Sequence, residues 1–277
     1  MFGQSIEIFL FSIIAGFLGS ILGLGGGIII IPVLTVLLGI PIHVAIGASI
    51  VSVIATSSGA AITYVRDKIT NIRIGMFLET ATTIGAVTGA YIAGLVSAKF
   101  LYIVFSLLMI YSASAMFKKR NSELPVDTVE HPLSARLRLN NAYYDKVIGQ
   151  TVAYKVAGIY PAYAVMYIAG ILSGLLGIGS GAFKVLGMDI FMKLPMKVST
   201  ATSNFMIGVT AAASAGVYFM RGDINPMIAG PVALGVLGGA TMGSKVMERI
   251  RSKTIRLIFI PILLYVALQM MWNGWWK

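Results

Sequence analysis

The sequence predicts an all-α polytopic membrane protein built from two inverted repeats, and three observations lead to this prediction. Of the 277 residues, 57% are hydrophobic and only 11% are charged, with a mean hydropathy of +0.88. A soluble domain carries about 25% charged residues. Apolar runs long enough to cross a bilayer recur along almost the whole chain. Glycines and prolines of the first half recur in the second half at a fixed offset.

The same composition argues against several other classes of protein. The formal charge of +11 could suggest a nucleic-acid partner, but the basic residues lie at the ends of apolar segments, where membrane topology explains them. The chain has no cysteine, and its two histidines, His43 and His131, are far apart. Neither a metal nor another cofactor is therefore predicted. The apolar N-terminus has no basic residue before it, so we interpret it as a retained first helix.

Spanning the hydrocarbon core takes about 20 apolar residues in a helix, and eight segments satisfy this. Two shorter apolar pieces, 28–39 and 182–192, each follow a glycine cluster. A piece of that kind is typical of a broken or re-entrant helix, so each half should contain four long helices and one half-helix. The eight long segments are residues 5–24, 43–64, 72–95, 101–117, 156–178, 198–219, 227–247 and 255–272.

The distribution of basic residues predicts the orientation in the membrane. If each broken unit returns to its starting side, 17 of the 21 Lys and Arg residues lie on the side of the polar linker 118–155. Only Lys99, Arg221 and Lys277 lie on the other side, and Lys184 lies within the membrane. The positive-inside rule then makes the linker cytoplasmic and both termini external, in the plasma membrane of a prokaryote. The predicted units are 1–117, 118–155 and 156–277.

The internal repeat has an offset of 154 residues. It runs without a gap from Ala15 to Ser49, and after a one-residue slip near position 66 it resumes. On the predicted topology Pro41 lies outside while its counterpart Pro195 lies inside, so the halves cross the membrane in opposite directions. Inverted repeats are typical of transporters, in which two mirrored gates surround one site. The alternative is a duplication that serves packing alone.

The two glycine clusters predict a substrate site. Glycines let a helix break, and the N–H groups at the start of the next half-helix attract an anion. A nucleotide-binding loop is not favoured, because no strand precedes the motif and no Walker lysine follows it. The alternative is close helix packing by small residues. The predicted binding residues here are Gly25, Gly26 and Gly27 in the first half and Gly179, Ser180 and Gly181 in the second.

Four polar side chains complete the predicted site. Lys184 follows the second break, and a charge within the bilayer needs an anionic partner or water. We expect it to coordinate the anion directly, with pairing to Asp189 or snorkelling as the alternatives. Ser49 and its counterpart Ser203, together with Asn204, are candidates for contacts to substrate oxygens, although helical hydroxyls often bond their own backbone. Glu79 is a possible proton relay, or else a salt-bridge partner.

The segment Gly23–Gly27, the following Pro32, the helix start at 41–49 and the duplicated architecture resemble the TauE/SafE sulfite-exporter family. The resemblance covers most of the chain outside the linker. It implies a secondary transporter of small sulfur-containing anions such as sulfite, sulfonates or thiosulfate, with the lipid bilayer as its surroundings. A passive anion channel and, less favoured, a membrane-embedded enzyme are the alternatives. The sequence gives neither the anion, the direction of transport nor the oligomeric state.

Overall fold

In the computed structural model, the described residues are 2–23, 25–118, 132–247, 249–250 and 252–276. Helices dominate both halves, as the composition predicts. The first half contains α1 (Phe2–Leu22), α2 (Gly27–Pro32) continued by a π-helical turn (Val33–Leu37), α3 (Ile42–Arg66), α4 (Ile72–Ala93) and α5 (Ala98–Lys118). The linker contains α6 (Pro132–Arg136), β1 (Asn141–Asp145) and β2 (Gln150–Tyr154). The second half contains α7 (Ile159–Leu176), α8 (Gly181–Ile190), α9 (Met196–Met220), α10 (Pro226–Met247) and α11 (Ser252–Trp276).

The helix boundaries of the two halves coincide at the offset found in the sequence. Adding 154 to the bounds of α3, 42 and 66, gives 196 and 220, which are the bounds of α9. Adding 154 to the bounds of α4, 72 and 93, gives 226 and 247, which are the bounds of α10. The offset is therefore constant across this region, and the one-residue slip expected near position 66 is wrong.

The loops repeat their backbone conformations as well as their positions. Left-handed φ angles are uncommon outside glycine, so their recurrence at matching positions is informative. Five such pairs are separated by 154 residues. They are Gly23 and Gly177 (φ 71° and 64°), Gly25 and Gly179 (78° and 70°), Gly26 and Ser180 (61° and 50°), Gly39 and Lys193 (66° and 58°), and Lys68 and Gly222 (56° and 76°).

All eight segments predicted to cross the membrane fall on helices. Among the residues that the structure describes, five of these helices meet both the length and the hydropathy required of a span. The five contain Ser5–Leu22, Ile42–Arg66, Ile159–Leu176, Met196–Met220 and Pro226–Met247. Helix α4 has the length, but it carries Arg73, Glu79 and several threonines, which lower its hydropathy. In α5 the apolar portion among the described residues is the shorter Ala98–Tyr111.

The two halves interlock through glycine-lined helix crossings. Helix α1 packs mainly on α10, and its counterpart α7 packs on α4. A Cβ atom on Gly16 of α1 would overlap the Val236 carbonyl, and one on Gly170 of α7 would overlap the Thr82 carbonyl. Small residues at such crossings let helix backbones approach closely within a bilayer. Helices α3 and α9, which are repeat counterparts, pack against each other between these crossings.

The linker adds a small β-structure that the all-α prediction did not include. Helix α6 ends at Arg136, and a turn follows. The antiparallel hairpin β1–β2 comes next, with Asn141 opposite Tyr154. It docks on the loop between α3 and α4, where Asn71 Nδ2 donates to Leu139 O (2.8 Å) and to Tyr154 Oη (3.0 Å).

Candidate functional site

Both predicted helix breaks are present, and both are built in the same way. Helix α1 ends at Leu22 and α7 at Leu176, and the chain then passes through left-handed residues before α2 and α8 begin at Gly27 and Gly181. Glycine adopts this conformation without a steric penalty, which explains the glycine clusters. Ser180 adopts it as well, with φ 50°, where the first half has Gly26. The first N–H groups of a helix have no partner one turn back, and at the start of α2 those of Gly27 and Ile29 donate instead to the carbonyls of Gly25 and Gly26.

The two breaks meet against the same two side chains, Val53 of α3 and Ile207 of α9. A Cβ atom built on Gly25 would lie 2.9 Å from Ile207 Cγ2 and 3.3 Å from Val53 Cγ1. A Cβ atom built on Gly179 would lie 2.5 Å and 2.7 Å from the same two atoms. Val53 and Ile207 are fully buried and are themselves repeat counterparts (53 plus 154 is 207). In this conformation apolar atoms therefore separate the breaks.

Ser49 and Ser203 each hold the break of the opposite half. Ser49 Oγ donates to Gly177 O at 2.7 Å, and Ser203 Oγ donates to Gly23 O at 2.8 Å. All four residues obey the repeat offset, so the two bonds are equivalent. Both hydroxyl protons are engaged by backbone carbonyls, and an anion that contacted these serines would have to compete for them. The space beside Gly27 is also closed, because a Cβ atom there would overlap Ser49 Oγ.

Lys184 lies in a buried polar cluster with Glu79 and Thr210. Its side chain is 0% exposed, and its Nζ lies 3.5 Å from Glu79 Oε2. Lys184 also donates to Thr210 Oγ1, and Thr210 in turn donates to Glu79 Oε1 at 2.5 Å. Thr83 Oγ1 donates to the same oxygen at 3.2 Å. The ion-pair partner of Lys184 is thus Glu79 of the other half, rather than the Asp189 considered from sequence.

The remaining predicted side chains differ in how far they are already committed. Asn204 Nδ2 donates to Ser20 O (2.9 Å) and to Thr200 O (3.2 Å), so both amide protons are engaged. Ser180 Oγ is buried and has no hydrogen-bond partner among the described residues. Gly26 faces two hydroxyls of α3, because a Cβ atom there would lie 3.1 Å from Thr56 Oγ1 and 3.4 Å from Ser52 Oγ. Among the described residues, Ser180 is therefore the predicted hydroxyl donor that is buried and uncommitted, while Asn204 Oδ1 is a buried acceptor without a partner.

Four residues of this region were not among the site residues predicted from the sequence, namely Ser52, Thr210, Val53 and Ile207. Ser52 Oγ and Glu79 Oε2 are buried atoms that, within the described part of the chain, have no hydrogen-bond partner. Thr210 bridges Lys184 and Glu79. The repeat could have identified Val53 and Ile207. Val53 follows Ser49 by four residues on α3, and Ile207 follows Ser203 by four residues on α9. Across the described ranges, no three His, Cys, Asp or Glu residues lie together where they could hold a metal ion.

A second buried ion pair fixes the hairpin to the start of α9. Lys197 Nζ donates to Asp145 Oδ1 at 2.7 Å, and both side chains are 7% exposed. Burial raises the pKa of Asp145, but hydrogen bonds from Lys197 and from the Val147 N–H, with the lysine charge, outweigh it and leave the pKa below its usual value. Burial also raises the pKa of Tyr154 to about 12. The hairpin therefore docks with Asp145 ionised.

Comparison with known proteins agrees with this architecture. The family described as sulfite exporter TauE/SafE matches residues 8–270. The probable membrane transporter protein YunE of Bacillus subtilis is 27% identical over 95% of both chains, and YdhB of the same organism is 28% identical over 86% of both chains. A probable membrane transporter protein of Xylella fastidiosa is 23% identical over 95% of this chain and 93% of its own. No solved structure matches the chain.

The match to the family covers nearly the whole chain, including both glycine breaks, the linker and the Lys184–Glu79 pair. The two Bacillus subtilis relatives, which align over 95% and 86% of their lengths, are named as membrane transporters and not as enzymes. A multi-pass helical protein with two buried helix breaks is consistent with both findings. The chain therefore belongs to the sulfite exporter TauE/SafE family and is a multi-pass membrane transporter.

Proposed function

We propose that the protein is a secondary transporter that carries small sulfur-containing anions, such as sulfite, sulfonates or thiosulfate, across the plasma membrane of a prokaryote. One observation carries the proposal. Two repeat-related helix breaks converge on Val53 and Ile207, and one of them has a fully buried lysine beside it. Helix breaks inside membrane proteins are where anionic substrate groups meet backbone N–H groups. Family membership supports a sulfur oxyanion as the substrate.

The substrate would bind between the two breaks. Its contacts would come from Gly25, Gly26 and Gly27, from Gly179, Ser180 and Gly181, and from the side chains of Lys184, Ser49, Ser203 and Asn204. Of these side chains Ser180 and Lys184 are the best placed as donors, because the protons of the other three are bonded within the protein. Glu79 would relay a proton. Such a site needs Val53 and Ile207 to separate as the breaks open.

The halves 1–117 and 156–277 would be inverted repeats joined by the cytoplasmic linker 118–155. Reciprocal bonds support a two-fold relation between them, since Ser49 holds the second break and Ser203 holds the first. If the two-fold axis lies in the membrane plane, exchanging the conformations of the two halves reverses the side to which the site opens. That exchange is alternating access, and it requires no nucleotide.

A passive anion channel is the second candidate, and it differs from a carrier in the flux it supports. Val53 and Ile207 close the path between the breaks in this conformation, which suits a carrier and equally a closed channel with a hydrophobic gate, so the flux must discriminate. We expect purified protein in proteoliposomes to exchange radiolabelled sulfite or thiosulfate with saturable kinetics and no large current. Unsaturable electrical currents carried by the same anions would instead establish a channel. Protein-free liposomes and liposomes with the Lys184→Ala variant are the controls.

A further inference from the structure

The buried cluster around Lys184 holds one positive and one negative charge. Lys184 Nζ lies 3.5 Å from Glu79 Oε2, and Thr210 bonds both residues. Lys184 is 0% exposed, and Glu79 is 7% exposed. The cluster is therefore neutral as it stands. A buried anion added to it would leave a net negative charge away from water, which is costly unless the charge is compensated.

The geometry indicates where that compensation can occur. Glu79 Oε1 accepts bonds from Thr210 and Thr83, whereas Glu79 Oε2 faces Lys184 without a hydrogen bond from any described residue. Oε2 is thus the less firmly held oxygen, and the one that an incoming anion would displace from the ammonium group. A carboxylate that loses its cation in a buried site is neutralised most readily by a proton.

The neighbouring helices offer no other charge to balance Glu79. On α8 the ionisable residues are Lys184 and Asp189, and on α9 Lys197 bonds Asp145 while Arg221 bonds Asp223 at the far end. On α7 the ionisable groups are tyrosines, and the Tyr163 hydroxyl lies 3.0 Å from Thr80 Oγ1. Of the described residues, Lys184 is the one whose charge lies within ion-pair distance of Glu79.

The cluster also has no equivalent in the other repeat. Shifting by 154 residues relates Lys184 to Ile30, Glu79 to Ala233 and Thr210 to Thr56. The set Lys184, Glu79 and Thr210 therefore carries two charges, whereas the related set carries two apolar side chains and one hydroxyl. A single charged anion site per chain follows, on the side of the second break. The ion pair joins α4 of the first half to α8 of the second, so it links the parts that must move relative to each other.

We propose that a bound anion takes the place of Glu79 beside Lys184, and that Glu79 then takes up one proton from water, so that each anion moves with one proton. This rests on the proposed anion carrier and adds its coupling. Anion and proton binding must then favour each other equally. In the empty protein Lys184 pairs with Glu79, and in the loaded protein Lys184 pairs with the anion while Glu79 is neutral. The net charge within the site is then the same in the two states for a monoanion such as methanesulfonate, and a dianion such as sulfate leaves one negative charge instead of two.

Calorimetry of the purified wild-type protein tests the exchange directly, with sulfate and methanesulfonate as probes because their charge is fixed near neutral pH. Titrations in two buffers of different ionisation enthalpy give the number of protons taken up. We expect about one proton per anion, and an affinity that rises up to about tenfold per unit fall in pH. Binding with no proton uptake would overturn the coupling alone. If neither these probes nor sulfite and thiosulfate bind, the anion-carrier function itself fails.

Two variants remove one member of the pair each. Glu79→Gln should bind the probe about fivefold or more tightly, with no proton uptake and no pH dependence, because the competing charge is gone. Glu7→Gln makes the same change at an exposed site of α1 and should retain the proton. Proton uptake that persists in Glu79→Gln would assign it to another group and overturn the proposal. A sodium requirement in place of proton uptake would overturn it too.

The second variant needs no anion. In Lys184→Met, Glu79 loses its cation permanently, so infrared difference spectra near neutral pH should show the carbonyl band of a protonated carboxyl group. The band should be absent from wild type and from Lys245→Met, which changes an exposed lysine of α10. It should also disappear in the double variant with Glu79→Gln. No protonated carboxyl band in folded Lys184→Met would contradict the exchange.

Discussion

At the residue scale, identical side chains at repeat-related positions form equivalent bonds to the two broken helices, the serines across the halves and the tyrosines within their own half. Ser49 and Ser203 bond the carbonyls of Gly177 and Gly23, as described above. Tyr64 and Tyr218, both fully buried, add a second such pair. Tyr64 Oη donates to Ser20 O at 3.0 Å, and Tyr218 Oη donates to Gly174 O at 2.6 Å. Four hydroxyl groups thus fix both broken helices to the two long central helices, α3 and α9. Lys184 and Glu79 are the departure from this equivalence.

The residue-scale prediction concerns Lys184→Ala. Loss of a charge-assisted hydrogen bond to the substrate should weaken anion affinity by about 10- to 150-fold, because such bonds contribute about 1.5–3 kcal/mol. Affinity and thermal unfolding of the purified variant are measured together, since Glu79 loses its partner as well. Glu79→Gln combined with Lys184→Ala removes that unpaired charge and should recover stability without recovering affinity. Unchanged anion affinity in the single variant would make Lys184 a purely structural partner of Glu79.

At the element scale, the crossing helices depend on glycine at specific positions and not on small residues in general. Gly239 of α10 faces α1, where a Cβ atom would overlap the Ile13 carbonyl, whereas nothing lies within 4 Å of such an atom on neighbouring Gly238. The α4–α7 crossing repeats this, because Gly85 and Gly89 face the backbone of α7. Each crossing is therefore a backbone-to-backbone contact, which a side chain would force apart.

Adjacent glycines of α10 provide a matched pair of variants for this contact. Gly239→Ala must push α1 away from α10, and overpacking of this kind costs about 1–3 kcal/mol. Gly238→Ala points away from the protein, and alanine favours a helix over glycine by about 1 kcal/mol. We expect the unfolding temperature in detergent to fall for Gly239→Ala and to stay level or rise for Gly238→Ala. Equal effects would show that the crossing tolerates a methyl group.

The hairpin is the other element whose docking can be tested, through the pH dependence of Asp145. Its folded pKa lies below that of an unfolded aspartate, about 3.9. The pair with Lys197 therefore stabilises the folded protein above that unfolded pKa, and this stabilisation is lost as pH falls through the lower folded pKa. The unfolding temperature of the wild type should fall as the pH is lowered below about 4. In Asp145→Asn the part of this fall that comes from the Asp145–Lys197 pair should be absent. Asp223→Asn, remote from the hairpin, should behave as wild type.

Lys197→Met should have a larger effect than Asp145→Asn at neutral pH, because it leaves a buried carboxylate without its partner. Breaking a buried pair from one side costs about 3–5 kcal/mol. The hairpin amides of β1 and β2 should then lose hydrogen-exchange protection, while those of α3 keep it. Full protection of the hairpin in folded Lys197→Met would show that the bonds of Asn71 hold it without the ion pair.

At the scale of the whole molecule, the sequence predicts the helices and the breaks but not the contacts between halves. Length and polarity identify every long helix, and glycine clusters mark both breaks, because these depend on local chemistry. The pairing of Glu79 with Lys184, separated by 105 residues, depends on how α4 and α8 meet. Sequence spacing instead suggested Asp189, which lies on the same short helix. The hairpin was missed because its strands are only five residues each.

The last prediction concerns the orientation of the whole molecule in the membrane. The contacts of the linker show which loops must lie on the same side. Lys146 of the hairpin turn bonds Asp67 at 2.8 Å, and Asp145 bonds Lys197, so the hairpin, the α3–α4 loop and the start of α9 share one side. The positive-inside rule predicts that this side is cytoplasmic. Because the native chain lacks cysteine, a single introduced cysteine is the one site that a thiol reagent can label.

Ile148→Cys, on the exposed hairpin turn, should react with an impermeant thiol reagent only after the cells are opened. Ser97→Cys, in the α4–α5 loop at the opposite end of α4, should react in intact cells. The reverse pattern would invert the topology, and labelling of both in intact cells would disprove the predicted sidedness of the repeats.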